Sequence, residues 1–275
     1  MSSQRLEIED LTVAYGHGRK QRDVLHGVSL SISAGETFGL VGESGSGKTT
    51  LGRAVLGLVP TRSGTIRYNG GDITRAAASD RRSLAHDVQV VFQDPYTSLN
   101  PAMTIRNILT EPLRVRGVSK ADADRRVRDL LDRVAMPADV LGRHARDFSG
   151  GQRQRIAIAR ALALDPGLIV CDEPVSALDL STQLRALDLL IDIQEKTGVS
   201  YLFISHDLAV VRHISHSVAV MRRGEIVENG RTEAVTEHPQ HPYTQRLWAS
   251  NLVADPIEQA ERRRIRAETM SEPAA

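Results

Sequence analysis

Residues 38–41 are an apolar run that leads directly into Gly42-Glu43-Ser44-Gly45-Ser46-Gly47-Lys48-Thr49, which matches G-x-x-x-x-G-K-[ST] at every fixed position. No other feature restricts the fold as much. The run reads as a buried strand, the glycines let the backbone turn its amides inward, and a helix is expected to start near Lys48. Phosphate oxygens would sit at that helix's positive end, against Gly42, Ser44, Gly45, Ser46 and Gly47. Lys48 then supplies a point charge near the β and γ phosphates of a nucleoside triphosphate, and the Thr49 hydroxyl is a hard oxygen donor suited to Mg²⁺. Thr50 continues the helix at the edge of the same cradle.

The 275 residues can bury a large core, and the length suggests one or two domains. Charge is nearly balanced, 35 basic against 34 acidic residues, so the strong positive field of a non-specific nucleic-acid binder is missing. Residues 1–10 contain no apolar segment of a secretory signal, and no run approaches the roughly 18 apolar residues of a membrane span. The expectation is a cytosolic protein that reaches a membrane only through a partner. Cys171, the single cysteine, rules out an internal disulfide and a multi-cysteine metal site, and reads as a small buried hydrophobe.

Short, partly alternating apolar runs at 6–13, 24–32, 37–41 and 65–68 predict a strand-rich lobe beside the loop. Residues 105–164 change to helical spacing with Arg/Asp pairs such as Asp122 to Arg126, as expected of a helical subdomain. From Leu168 onward, strands at 168–171, 201–204 and 217–221 alternate with helices near 179–195 and 207–213, which implies parallel βαβ construction. After Gly230 the pattern weakens into proline-containing segments. A polar tail from Asp255, with Arg262, Arg263, Arg264 and Arg266, is expected to be solvated and frayed.

Leu168-Ile169-Val170-Cys171 suits a strand covered on both faces, and it ends in Asp172-Glu173. In open α/β sheets ligands bind at the carboxyl ends of strands, so Asp172 could hold Mg²⁺ directly or through water, and Glu173 could orient or deprotonate an attacking water. Two more strands deliver polar side chains to that edge. Gln93 follows 88–92 and can bond water or metal; His206 follows 201–204 and can bond a γ phosphate. Phe148-Ser149-Gly150-Gly151-Gln152 reads as a second helix start, with Ser149 as N-cap and exposed amides that make another anion site. A single small nucleotide rarely needs two cradles in one subunit. A head-to-tail pair would let this helix end face the nucleotide held by the other molecule.

These residues together resemble the ATP-binding subunit of an ABC transporter, over about residues 5–250. The resemblance implies a P-loop NTPase core of RecA-like α/β type with an antiparallel β lobe and an inserted α-helical subdomain. The lobe and core would occupy about 1–94 and 160–235, the helical subdomain about 95–159, and a C-terminal extension 236–275. It assigns Gly42 to Thr49 to the Walker A loop and Gln93 to the Q-loop. Ser149 to Gln152 fall to the signature, Asp172 and Glu173 to the Walker B end, Ser176 to Asp179 to the D-loop, and His206 to the switch histidine. Tyr15 fits the family's adenine platform by stacking. Phe148 stands where the family more often has Leu, and residues 16–23 lengthen the turn after Tyr15.

Phe92 to Pro101, Glu111-Pro112-Leu113 and His238-Pro239-Gln240-His241-Pro242-Tyr243-Thr244 resemble the oligopeptide, dipeptide and nickel uptake branch. That implies ATP and Mg²⁺ as cofactors and a second ATPase cassette as partner. It also implies a peripheral place for this chain at the cytoplasmic face of the inner membrane, on two transmembrane permease subunits, with an extracytoplasmic solute-binding protein acting indirectly and no nucleic acid. The His-Pro segment reads as a structural strap rather than a metal site. Other readings are a nickel or metal-chelate importer, a soluble ABC ATPase acting on DNA or the ribosome, and a non-hydrolysing regulatory module. The chain shows neither a long coiled-coil insertion nor a second cassette, and no N-K-x-D guanine-reading motif.

Overall fold

Strands buried on both faces form the centre of the larger of two sheets. Its order is β10-β9-β3-β8-β7-β6: β3 (Thr37–Val41), β6 (Val88–Val91), β7 (Leu168–Asp172), β8 (Ser200–Ser205) and β9 (Ser217–Arg222) run parallel, and the edge strand β10 (Glu225–Arg231), exposed or half-buried, is antiparallel to β9. Successive side chains divide between two apolar clusters. Ile169, Cys171, Tyr201 and Phe203 enter one; Leu168, Val170, Leu202 and Ile204 enter the other. Continuous apolar runs are the sequence trace of this double burial. The computed structural model describes residues 4–16, 21–94 and 98–250. The basic tail, residues 95–97 and part of the 16–23 insert lie outside the described residues.

The second cluster is shared with an antiparallel sheet of order β2-β1-β4-β5, made of β1 (Gln4–Tyr15), β2 (Arg22–Ser33), β4 (Ser63–Tyr68) and β5 (Gly71–Asp72). Helix α1 (Lys48–Val55) adds Leu51 and Val55 to it. The first cluster is closed by α3 (Ile105–Val115), α4 (Lys120–Arg133), α5 (Gly150–Leu162), α6 (Leu180–Thr197) and α7 (Leu208–Ile214). The α/β class, the antiparallel lobe and the helices inserted between β6 and β7 are as expected. The boundary anticipated between 159 and 160 falls inside α5.

Among the described residues, five elements were not anticipated: the short β5, α2 (Ala78–Asp87), β10, α8 (Thr232–Glu237) and α9 (Pro242–Ser250). The polar sequence of α2 offers little apolar periodicity. Pro242 breaks a helical pattern when read as an interior residue, yet it opens α9, where its missing N–H costs nothing. Tyr243 and Leu247, one turn apart, are both buried.

Candidate functional site

Parallel strands deliver their carboxyl ends to one edge, and that edge holds the residues singled out above. A cleft of about 670 Å³ is lined by Ser44, Gly45, Gly47, Lys48, Thr49 and Thr50 of the loop after β3, by Gln93 after β6, Glu173 after β7 and His206 after β8. Val24 of β2 and Leu247 of α9 also line it, and neither had been foreseen.

The loop is held before any ligand arrives. Gly47 has φ 112°, a left-handed conformation that suits glycine, and α1 begins at the next residue. Lys48 is buried, and its Nζ donates to the carbonyls of Gly42 (2.7 Å) and Glu43 (2.9 Å). Burial pulls its ammonium below the usual lysine range, against the pull of Glu173, Asp172 and Glu43. Ser46 is buried with its hydroxyl unpartnered, while its backbone carbonyl accepts from the Gly224 amide (2.8 Å). Ser46 and Gly42 therefore stand behind the residues that line the cleft, and Gly45, Gly47, Lys48 and Thr49 face it.

At the β7 edge, the Thr49 hydroxyl donates to Asp172 Oδ1 (3.0 Å), joining the loop to the carboxylate. Burial pushes the Asp172 carboxyl above its usual range; the Thr49 bond opposes this and the neighbouring Glu173 adds to it. Glu173 sits at φ 49° with its amide bonded to the Ile204 carbonyl (3.0 Å), so the chain turns sharply out of β7 at this residue. Its Oε2 accepts from Gln93 Nε2 (3.2 Å) and lies 3.0 Å from His206 Nδ1. Glutamine and histidine, delivered by the strands on either side of β7, thus hold one carboxylate at the mouth of the cleft.

The other candidates lie elsewhere. Ser149 caps α5 in a reciprocal box, its hydroxyl accepting from the Gln152 amide (3.4 Å) and its amide donating to Gln152 Oε1 (3.1 Å). Ser149, Gly150, Gly151 and Gln152 do not line this cleft. Phe148 is buried, with the Arg143 guanidinium 4.3 Å from its ring centroid. Asp179 caps α6, accepting from the Thr182 amide (3.0 Å) and the Ser181 hydroxyl, which hold its carboxyl down at about 2. Tyr15 ends β1 and is exposed outside the cleft lining.

Residues 25–176 match the family model described as ABC transporter. The chain belongs to the ABC transporter family. Among relatives in this family, Glutathione import ATP-binding protein GsiA of Escherichia coli (strain K12) is 52% identical over 237 residues, 86% of this chain and 38% of that protein. The chain therefore spans well under half the length of that relative. The Brucella ovis protein named "Putative peptide import ATP-binding protein" is 45% identical over 267 residues, 97% of this chain and 84% of its own length. The ATP-binding cassette MJ0796, solved as a dimer in a post-hydrolysis state bound to ADP and Pi, superposes with a TM-score of 0.74 at 26% identity, covering 82% of this chain and 98% of that one.

Proposed function

We propose that this chain is the ATP-hydrolysing subunit of a bacterial ABC importer for peptides or related small solutes. The observation that carries this reading is the cleft itself. Lys48, Thr49 with Asp172, and Glu173 with Gln93 and His206 converge there from four strand ends, while the second cradle, Ser149 to Gln152, opens elsewhere. Two cassettes arranged head to tail would complete each other's sites, with Ser149, Gly150, Gly151, Gln152 and Asp179 reaching the partner's nucleotide. Relatives named for glutathione and peptide import support the solute class, glutathione being itself a peptide.

In this reading the loop from Gly42 to Thr50 binds the ATP phosphates, Tyr15 stacks on adenine, and Lys48 neutralises charge on the β and γ oxygens. Thr49 and Asp172, two hard oxygen donors side by side, fit Mg²⁺, with Gln93 as a further donor. Bound there, the ion would add neutralisation of the phosphate charge. Glu173 orients or deprotonates the attacking water, and His206 meets the γ phosphate. The cassette spans 1–250, with the divisions given above, and works at the cytoplasmic face of the membrane on two permease subunits served by a solute-binding protein. Among the described residues no helix is long and apolar enough to cross a membrane.

Glu173→Gln tests the assignment. ATP binding should persist, turnover should fall by about 100-fold or more, the usual range for removing a general base, and ATP should trap a dimer on size-exclusion chromatography. Normal hydrolysis by this variant would mean that Glu173 is not the base.

A further inference from the structure

The last described helix reaches back to the phosphate loop. Its entry is fastened to the large sheet: the Glu228 carboxylate on β10 accepts from the amides of Gln240 (2.8 Å) and His241 (3.1 Å), and His241 Nδ1 accepts from the Tyr243 amide (3.1 Å). Farther along, the Arg212 guanidinium of α7 lies 5.8 Å from the Trp248 ring centroid. These ties press Tyr243 against the loop, where it is 3% exposed with the Arg222 guanidinium 5.1 Å from its ring centroid. Its hydroxyl accepts a hydrogen bond from the Glu43 amide at 3.1 Å. One turn on, Leu247 lines the cleft.

The identity of the bonded peptide gives this contact its consequence. The Gly42 carbonyl and the Glu43 amide belong to one planar trans unit whose two polar ends point in opposite directions. Lys48 Nζ bonds the carbonyl end (2.7 Å) and Tyr243 the amide end. A plane held at both ends cannot swivel without breaking a bond. The carbonyl of Glu43 accepts a second bond from Lys48 (2.9 Å), so the same short segment sets the direction of the ammonium twice.

We propose that Tyr243 is a positioning residue for nucleotide binding: its hydroxyl fixes the Gly42–Glu43 peptide plane and, through it, the Lys48 ammonium that meets the phosphates. The inference rests on reading the cleft as a nucleotide site. It makes the His-Pro strap and α9 part of that site, although none of their side chains need touch a phosphate. The effect falls on affinity for phosphate-bearing nucleotides, because Lys48 is aimed before binding, and leaves the hydrolytic step to Glu173.

Tyr243→Phe deletes one oxygen and keeps the ring beneath Arg222. In the full-length protein, the Kd for both ATP and ADP should rise about three- to tenfold, as expected when one hydrogen bond is lost. The unfolding midpoint without nucleotide should fall by no more than the few degrees that one hydrogen bond is worth. In the assembled transporter the KM for ATP should rise while kcat at saturation holds. An unchanged Kd, with or without a drop in stability, overturns the proposal. Should the variant fail to fold, hydrogen exchange of the Glu43 amide in the native, nucleotide-free chain decides: protection supports the clamp, and exchange at the rate of an open loop removes it. A native chain that binds no ATP at all would instead strike down the nucleotide reading, while the exchange measurement would still judge the Tyr243 contact.

Discussion

Asp172 carries opposing demands. Its carboxyl is lifted above the usual aspartate range mainly by burial, so the folded chain takes up a proton there at a higher pH than the unfolded chain does. A raised carboxyl means that the ionised form weakens the fold at neutral pH, and that stability from this group returns as pH falls through its folded value. Asp172→Asn keeps an acceptor for Thr49 and removes the charge. Without nucleotide or metal, the variant should melt above the native chain at pH 7, with a gap that closes as pH is lowered into the carboxylate range; calorimetry checks it. A native chain melting higher at pH 7 would show that Lys48 and Arg53 outweigh burial. Glu173 shows the same bias of site over stability, since a non-glycine residue at φ 49° carries about 1–2 kcal/mol of backbone strain. Gly42 to Thr49 was legible because its chemistry depends on fixed spacing. Tyr243 was not, since nothing in its own segment says that its hydroxyl meets the Glu43 amide.

Between elements, the contact that sets α5 against α6 is narrow. A Cβ added to Gly151 at the start of α5 would stand 2.4 Å from Thr182 Cγ2 at the start of α6, so the helix carrying Ser149 and the helix capped by Asp179 touch with no room for a methyl. Gly151→Ala should cost about 1–3 kcal/mol in denaturant titrations, the usual range for overpacking, and Thr182→Ser, which deletes that methyl, should recover most of it in the double variant. The lobe is tied to the core at another point. Asp87 at the end of α2 accepts from the Tyr68 hydroxyl of β4 (2.7 Å) and from the Gly167 amide just before β7 (2.8 Å). Asp87→Ala leaves the Tyr68 hydroxyl without this acceptor, while the Gly167 amide keeps the backbone carbonyl of residue 87 (3.0 Å), and should cost about 1–3 kcal/mol in the same assay. Strands and capped helices were legible through apolar runs and through Ser149. The α9 segment was hidden because tertiary burial of Tyr243 and Leu247, rather than its own periodicity, stabilises it, and α2 because its polar sequence brings only Leu84 against the second cluster.

For the whole molecule, the proposed function requires a site shared between two copies. In a homodimer, Lys48→Ala and Ser149→Arg should each stop ATP turnover alone. Mixed, they should recover about a quarter of the native rate, because half of the random pairs are heterodimers with one intact composite site of two. A mixture as inactive as its parts would argue that each cleft works within one chain. The sequence by itself determined the phosphate loop, the paired carboxylates after a buried strand, the second helix cap and the α/β class, because each depends on local spacing or on burial repeated along a segment. Only the tertiary structure decided that Gln93 and His206 bond the same carboxylate of Glu173, that Val24 and Leu247 wall the cleft, and that a helix some two hundred residues away in the chain bonds the Glu43 amide. Those contacts join segments distant in sequence, and their geometry follows from strand order and packing rather than from any motif.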